Sequence, residues 1–416
     1  MKLIIPPSLR HRRYRLLWFG LLISIAGTQM QIWAIFWHIR TLTDQPIALG
    51  GVGLARIIPV VVFSLIGGAV ADVANRRKVL FITQSAMALG ALALALLTFS
   101  GQIVLWQIYA LTALQAVAVA FDTPSRQSLV PNLVPARDLP NAFSMSSLAM
   151  QTGAIIGPAL SGLVIAYWGQ SYTYLINAIS YLAVLLALLL MGAVEQQVPT
   201  GKRVTVSLSS INEGIRFILN QPIILSTMIL DFFATFFSSA NTLMPIFARD
   251  ILKVGAVEYG WLSSAQSIGA VGAALVMSQI GQIRRQGPVF LVSVLIFGAA
   301  TILFGLSKTV GMAMLALILV GAADSVSTII RNTIRQLQTP DYIRGRMTSV
   351  NQIFFMGGPQ LGEVEAGVVA QLFGAPIAVI SGGVGCILAV AWITRRWPQI
   401  ARYNGDEPIR AGAVAD

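Results

Sequence analysis

The chain has 416 residues, of which 56% are hydrophobic and only 11% are charged. Soluble globular proteins average about 25% charged residues, so this composition would leave large apolar patches in water and excludes an ordinary soluble enzyme. The formal net charge of +12 is typical of nucleic-acid-binding proteins, but the basic residues lie between long apolar segments. The composition therefore predicts a single polytopic membrane protein that binds no nucleic acid.

Twelve apolar segments are long enough to cross a bilayer as helices, because a hydrocarbon core of roughly 30 Å needs about 20 helical residues. They are predicted at 16–38, 47–71, 79–99, 103–122, 142–166, 171–191, 222–247, 257–279, 288–306, 310–330, 349–372 and 376–394. The first ends in bulky residues instead of a small-residue cleavage site, so it is predicted to be a retained span. The predicted fold class is all-α integral membrane.

The only long polar interval divides the spans six and six. The predicted domains are an N-terminal six-helix bundle at 1–191, a cytoplasmic linker at 192–221, a C-terminal six-helix bundle at 222–394 and a cytoplasmic tail at 395–416. A shift of 205 positions superposes Arg126 on Arg331, Pro135 on Pro340, Gly157 on Gly362 and Gly162 on Gly367. This self-similarity favours a duplicated six-helix unit, as in many transporters.

The basic residues predict the orientation. Of the 28 Lys and Arg residues, 23 lie in the tails and in loops on one side of the predicted spans, and only 4 lie on the other side. Positively charged loops stay in the cytoplasm, so both termini are predicted to be cytoplasmic, in a multi-pass protein of the cell (cytoplasmic or inner) membrane. The remaining basic residue, Arg56, falls inside the second span.

Four spans carry a polar face at helical spacing. These faces are Ser24, Thr28 and Gln31 on the first span, Thr112, Gln115 and Asp122 on the fourth, Asp231, Thr235, Ser238 and Thr242 on the seventh, and Asp324, Thr328, Arg331 and Arg335 on the tenth. Spans three, six, nine and twelve carry no charged residue. The four faces are expected to surround one aqueous cavity, lined by Thr28, Gln31, Gln115, Thr235 and Ser238. Alternatively, the hydroxyls bond to their own helix backbone, and Asp122, Arg331 and Arg335 belong to the headgroup region.

Charges inside spans are costly, at about 2.5–3.5 kcal/mol on insertion scales, so those present usually face a cavity or a partner. Asp231, Glu363 and Asp324 are the predicted proton-coupling residues, because loss of hydration disfavours the charged form of a carboxyl group. Arg56 and Glu363 lie at similar depth and are predicted to pair. The two roles of Glu363 compete, since pairing with a guanidinium holds a carboxylate charged.

Two motifs resemble signatures of the major facilitator superfamily. The sequence GAVADVANRRK at 68–78 resembles the loop signature, although Val73 and Asn75 depart from it. The resemblance implies that Gly68 allows close helix approach, that Asp72 caps a neighbouring helix, and that Arg76 and Arg77 bridge to an acid at Asp122. The sequence GAIIGPALSG in the fifth span resembles the antiporter motif and implies close packing and bending at Gly153, Gly157, Pro158 and Gly162.

With the loop DTPSRQSLVPNLVP at 122–135, the whole chain is similar to the drug and siderophore exporter branch, which includes the enterobactin exporter and macrolide efflux proteins. The resemblance implies two pseudo-symmetric six-helix bundles and alternating access. It also implies export of an amphipathic small molecule by proton antiport. Asp72 with the Arg76 loop would then close the cytoplasmic side, and Arg56 with Glu363 the outer side.

Other classes fit less well. A proton-coupled importer of the same fold has the same sequence features. A channel fits less well because helices that bend and are rich in glycine are more typical of alternating access. An enzyme needs a catalytic or metal constellation, whereas the chain has one cysteine and two histidines, and no GxxxxGK[ST] loop for ATP. We therefore expect no cofactor and no metal. The expected partners are a small-molecule substrate, protons and the lipid bilayer, and the chain is expected to be monomeric.

Overall fold

The computed structural model describes residues 6–194, 208–238, 240–280, 283–340 and 343–405. The regular elements of these residues are all helices. Eleven of them are long and apolar enough to cross a membrane. The predicted all-α membrane class is therefore confirmed.

The first half contains six long helices at the predicted places. They are α1 (Arg12–Leu42), α2 (Pro46–Val73), α3 (Arg76–Phe99), α4 (Leu105–Leu129), α5 (Leu139–Trp168) and α6 (Gln170–Met191). A 3-10 turn, Pro7–Arg10, precedes α1, and two more, Val130–Asn132 and Ala136–Asp138, connect α4 to α5. Helix α4 runs beyond its predicted end, because Asp122 and Arg126 pair one turn apart on the helix and satisfy each other's charge.

The second half continues with α7 (Leu208–Leu219), α8 (Pro222–Phe237), α9 (Met244–Ile246), α10 (Ala256–Gln279), α11 (Gln286–Gly305), α12 (Val310–Leu337), α13 (Arg344–Phe373), α14 (Ala375–Arg396) and α15 (Gln399–Arg402). Helix α13 covers the predicted eleventh span with 30 residues. It carries two arginines and two glutamates and is not among the eleven apolar helices.

The seventh predicted span is broken rather than continuous. Helix α8 ends at Phe237, and the chain continues through a 3-10 turn at Ala240–Leu243, the short α9 and a π-helical turn at Phe247–Ile251. Serine, asparagine and threonine at 238–242 favour hydrogen bonds that compete with the helix backbone. Pro245, just beyond, has no N–H to donate.

The predicted linker at 192–221 contains a helix, α7. Phe217 and Ile218 of α7 are buried and share a cluster with Ile224 and Met228 of α8 and with residues of α13. Two other apolar residues of α7, Ile215 and Leu219, are exposed. The isoleucines at 211, 215 and 218 recur at helical spacing, so the sequence carried a signal for this helix.

The chain divides into two compact units. Unit 1 comprises Met1–Asp44, Leu54–Thr205 and Val254–Ser264, and unit 2 comprises Gln45–Gly53, Val206–Lys253 and Ala265–Asp416. Within unit 1, α1 packs on α5 and α6, and α3 packs on α4 and α6. Within unit 2, α8 packs on α13 and α14, and α11 packs on α12 and α14. Each unit thus uses the same helix pairs, which supports the duplication seen in the sequence.

Candidate functional site

A buried cluster of charges joins α8 and α12 in unit 2. Nη1 of Arg331 lies 2.6 Å from Oδ1 of Asp231, and Nη2 of Arg335 lies 3.6 Å from Oδ2 of the same carboxylate. Asp231 is 2% exposed and each arginine is 3% exposed. Three charged groups are therefore held inside an apolar helical unit, where they are stable only if they compensate one another.

Helical spacing explains why these side chains meet. Arg331 and Arg335 are four residues apart on α12, and Thr227 and Asp231 are four residues apart on α8, so each pair lies on one helix face. Nε of Arg335 donates to Oγ1 of Thr227, and its Nη2 donates to the backbone carbonyl of Thr227, both at 3.3 Å. These bonds orient the guanidinium group of Arg335 toward Asp231.

Arg331 also has a second acidic neighbour. Its Nη1 lies 3.9 Å from Oδ1 of Asp324, which is seven residues, or about two helix turns, earlier on α12. The side chain of Asp324 is 49% exposed, in contrast to that of Asp231. The cluster of Asp231, Asp324, Arg331 and Arg335 has no net formal charge, and one of its two carboxylates reaches the surface of the chain.

The structure thus brings two of the three predicted coupling acids together, with the two arginines as partners. The third, Glu363, lies elsewhere in unit 2, where α13 packs on the start of α2. A Cβ atom at Gly53 would lie 2.9 Å from Cβ of Glu363, and one at Gly50 would lie 2.9 Å from its backbone oxygen. Glycine is needed for this close approach. The predicted pairing of Glu363 with Arg56 stays a prediction.

Unit 1 contains a neutral polar network instead. Nε2 of Gln31 on α1 donates to Oε1 of Gln115 on α4 at 2.6 Å, and Nδ2 of Asn177 on α6 donates to Oε1 of Gln31 at 2.7 Å. Nε2 of Gln115 donates to the Met87 carbonyl at 3.3 Å. Because these amides are buried, their mutual bonds avoid the cost of unsatisfied polar groups.

The other residues predicted to line a cavity also have protein partners. Thr28 shares a hydrogen bond with Tyr181 at 3.0 Å, and Ser238 shares one with Thr301 at 2.6 Å. Thr235 donates to the Asp231 carbonyl at 2.8 Å, so the alternative of a bond to the helix's own backbone applies there. The shared aqueous cavity stays a prediction.

The signature loop differs in detail from the resemblance. Arg76 donates to the Ser128 carbonyl at 3.0 Å and to Oδ1 of Asn132 at 2.9 Å, and Arg77 donates to the Leu188 carbonyl at 2.7 Å. Both arginines therefore tie α3 to other helix ends of unit 1. Asn75, which departs from the pattern, caps α3 by accepting from the backbone N–H of Lys78.

Asp122 has different partners from the bridge that the resemblance implied. It accepts from Gln84 at 2.7 Å and from Thr83 at 3.2 Å, and it pairs with Arg126 at 3.6 Å. The side chain of Asp72 lies outside the described residues.

The close approach expected at Gly68 occurs one residue earlier. Among the described residues, a Cβ atom at Gly68 would meet nothing within 4 Å, whereas one at Gly67 would lie 2.9 Å from the carbonyl carbon of Ala120 on α4. Glycine at 67 is therefore the residue that lets α2 approach α4.

The glycines of the fifth span do allow close packing. A Cβ atom at Gly153 would lie 3.2 Å from the backbone nitrogen of Ala26 on α1, and one at Gly157 would lie 2.9 Å from its oxygen. A Cβ atom at Gly162 would lie 2.8 Å from Cα of Gly260. Pro158 is buried inside a continuous α5. In unit 2, Gly367, which corresponds to Gly162 in the sequence repeat, approaches Gly50 in the same way.

Several partners were missed because they are neutral residues within predicted spans that carry no charge. Thr83 and Gln84 lie on α3, and Asn177 and Tyr181 lie on α6. Thr227 was missed although it lies one turn before Asp231 and extends the same polar face. Polar residues on apolar spans, regardless of charge, were the available signal. Among the described residues, no group of three or more His, Cys, Asp or Glu side chains could hold a metal ion.

One known protein family matches nearly the whole chain. The family model described as transmembrane secretion effector matches residues 6–405. The chain belongs to this family. Transmembrane secretion effectors are a branch of the major facilitator superfamily, which confirms the predicted superfamily.

This transmembrane secretion effector resembles curated exporters. The enterobactin exporter of Shigella boydii serotype 18 is 25% identical over 344 residues, which cover 83% of this chain and 82% of that protein. The enterobactin exporter of Citrobacter koseri is 25% identical over 350 residues, which cover 84% of this chain and 83% of that protein. The chain is thus a membrane transporter similar to exporters of a small molecule.

Solved structures share the fold at low identity. A bacterial homologue of the human lysosomal transporter Spinster, inward-facing and unoccupied, matches with a TM-score of 0.73 and 14% identity, covering 94% of this chain and 98% of that one. A POT family transporter in complex with 5-aminolevulinic acid matches with a TM-score of 0.73 and 14% identity, covering 93% of this chain and 96% of that one. These matches confirm the major facilitator fold for this transmembrane secretion effector.

Proposed function

We propose that the protein exports an amphipathic small molecule, drug-like or siderophore-like, across the cytoplasmic membrane in exchange for protons. Similarity to enterobactin exporters over more than four fifths of the chain supports export. The charge cluster of Asp231, Asp324, Arg331 and Arg335 supports the coupling to protons. Alternating access of two six-helix bundles fits a fold in which both units repeat the same helix packing.

Within the cluster, the two carboxylates have different roles. Asp231 lies between two guanidinium groups and is buried with them, so it is the counter-charge of both arginines. Asp324 is half exposed and 3.9 Å from Arg331, so it is the acid that exchanges protons. This assignment favours Asp324 over Asp231 as the proton carrier, because the side chain of Asp324 is exposed and has one guanidinium neighbour, whereas that of Asp231 is buried between two.

Arg331 connects proton binding to the rest of unit 2. When Asp324 is charged, Arg331 is attracted to both carboxylates. When Asp324 is protonated, the attraction to Asp231 alone remains, and the guanidinium is drawn toward α8. Protonation of Asp324 therefore changes the forces between α8 and α12, which are two of the four helices with polar faces.

The test is transport in everted membrane vesicles, energised to be acidic inside, with enterobactin and ethidium as separate probes. Wild-type protein is expected to accumulate at least one probe, and a protonophore is expected to abolish the accumulation. Asp324→Asn should lose accumulation but retain exchange of labelled for unlabelled probe at equal concentrations, since only the proton step is removed. Gradient-driven accumulation by Asp324→Asn at the wild-type rate would refute the role of Asp324.

A proton-coupled importer of the same fold is the alternative. It would accumulate the probes in right-side-out vesicles that are acidic outside and not in everted ones. The same preparations therefore separate the two directions, with vector-only membranes as the control.

A further inference from the structure

A cavity of about 340 Å³ lies at the start of α1 in unit 1, and none of its lining residues belongs to the charge cluster of unit 2. Its volume is within the range of about 300–1,000 Å³ that is typical of small-molecule sites. The residues that line it are His11, Arg12, Arg13, Leu16, Leu133, Leu190 and Met191. They come from three parts of the chain: the start of α1, the connection between α4 and α5, and the end of α6.

The lining is divided by chemistry. One wall is basic, because Arg12 and Arg13 are exposed and neither has an ion-pair partner among the described residues. The other wall is apolar and is formed by Leu16, Leu133 and Leu190, of which Leu190 is 60% exposed. A ligand that matches both walls carries a negative charge next to hydrocarbon.

The cavity has a fixed framework. Nε2 of His11 lies 2.8 Å from Oδ2 of Asp138 in the connection between α4 and α5. Oη of Tyr14 donates to the Ala142 carbonyl at 2.6 Å, and Nε1 of Trp18 donates to the Met145 carbonyl at 2.8 Å. These contacts tie the start of α1 to α5, so the two walls are held in place without a ligand.

We propose that this cavity binds an anionic phospholipid, with the headgroup phosphate against Arg12 and Arg13 and the first acyl carbons against the leucines. Basic pockets at helix ends attract anionic headgroups, and the arginine fork matches phosphate geometry. Bound there, the lipid connects the ends of α1 and α6. The proposal is independent of the proposed transport function.

The test is native mass spectrometry of the full-length protein in detergent with phosphatidylglycerol and, separately, phosphatidylcholine of the same acyl chains. Wild-type protein is expected to retain phosphatidylglycerol but not phosphatidylcholine. Arg12→Gln/Arg13→Gln should bind phosphatidylglycerol about 30-fold more weakly, since each basic residue near a headgroup contributes a factor of about five. The matched control is Arg395→Gln/Arg396→Gln, which removes an equal charge at the end of α14 and should bind like wild type.

Two further measurements keep the proposal open to refutation. Residue 190 is exposed, and Leu190→Trp fills the apolar side of the cavity with a larger side chain without changing the charge. This variant should also weaken phosphatidylglycerol binding. Inorganic phosphate at millimolar concentration should not displace the lipid, whereas displacement would show that the site recognises free phosphate. Equal losses in the two double-arginine variants, or equal retention of both lipids, would overturn the proposal.

Discussion

The variant Asp231→Asn should destabilise the protein strongly. It removes the only negative charge that lies within 4 Å of both Arg331 and Arg335 among the described ion pairs. Both arginines are 3% exposed, so neither is able to recover hydration without rearrangement of α12. The amide side chain keeps nearly the original shape, which isolates the effect of charge.

The expected size follows from the geometry. An ion pair at 4 Å is worth about 4 kcal/mol at an effective dielectric constant near 20, and both arginines lie closer than that to the carboxylate. Removing one partner of a buried pair typically costs about 3–5 kcal/mol, because the other charge is left uncompensated. We expect a loss in this range for Asp231→Asn.

Thermal unfolding in detergent, followed by tryptophan fluorescence, measures the loss. The matched control is Asp324→Asn on the same cluster. Its carboxylate is 49% exposed and 3.9 Å from Arg331, so its loss should stay below about 1 kcal/mol. The double variant Asp231→Asn/Arg331→Gln restores the charge balance and should recover part of the stability. If Asp231→Asn and Asp324→Asn melted at the same temperature, the assignment of Asp231 as the buried counter-charge would be wrong.

Three further sets of variants test the helix packing, the neutral network and the hydroxyl of Thr235. Gly67→Ala should reduce thermal stability or folded yield because its Cβ atom would collide with α4, whereas Gly68→Ala, the adjacent control, should leave both unchanged. Gln31→Leu should lower the free energy of unfolding by about 1–3 kcal/mol, because it leaves buried amides unpaired. In the same melting assay, Gln31→Leu/Gln115→Leu should lower it by less than the sum of the two single changes. Thr235→Val should transport at the wild-type rate in vesicles, because its hydroxyl bonds within its own helix, and a transport defect would instead place that hydroxyl against substrate.

The spans were predictable from the sequence because the bilayer imposes a length and a composition on each of them. Eleven of the twelve predicted segments correspond to one helix each, and the seventh corresponds to α8 and the helical turns that follow it. Eleven of the twelve are apolar enough to cross a membrane. One kind of error lies at helix ends. Helix α12 continues to Leu337 because Arg331 and Arg335 are paired inside the unit, whereas a hydropathy scan ends the span where charges begin.

The local break after Phe237 was not predictable from hydropathy. The segment that follows α8 remains apolar, and only the sequence of small polar residues before Pro245 favours a departure from the helix. Hydropathy reports burial and not hydrogen bonding, so it does not distinguish a continuous helix from one broken into 3-10 and π turns.

The candidate site was predictable in part. A charge on an apolar span indicated Asp231 and Asp324, and helical spacing placed Arg331 and Arg335 on the face of Asp324. Which helices face one another depends on three-dimensional packing, and no local pattern gives it. The neutral partners Thr227 and Asn177 were therefore missed.

Proton movement during export is the direct test of proton antiport. Proteoliposomes with one protein orientation, loaded with the pH-sensitive dye pyranine, are given an outwardly directed probe gradient in the absence of any imposed pH gradient. We expect that probe efflux through the wild-type protein moves protons in the opposite direction and that Asp324→Asn abolishes this proton movement. Probe efflux without proton movement, or with protons moving in the same direction, would contradict proton antiport.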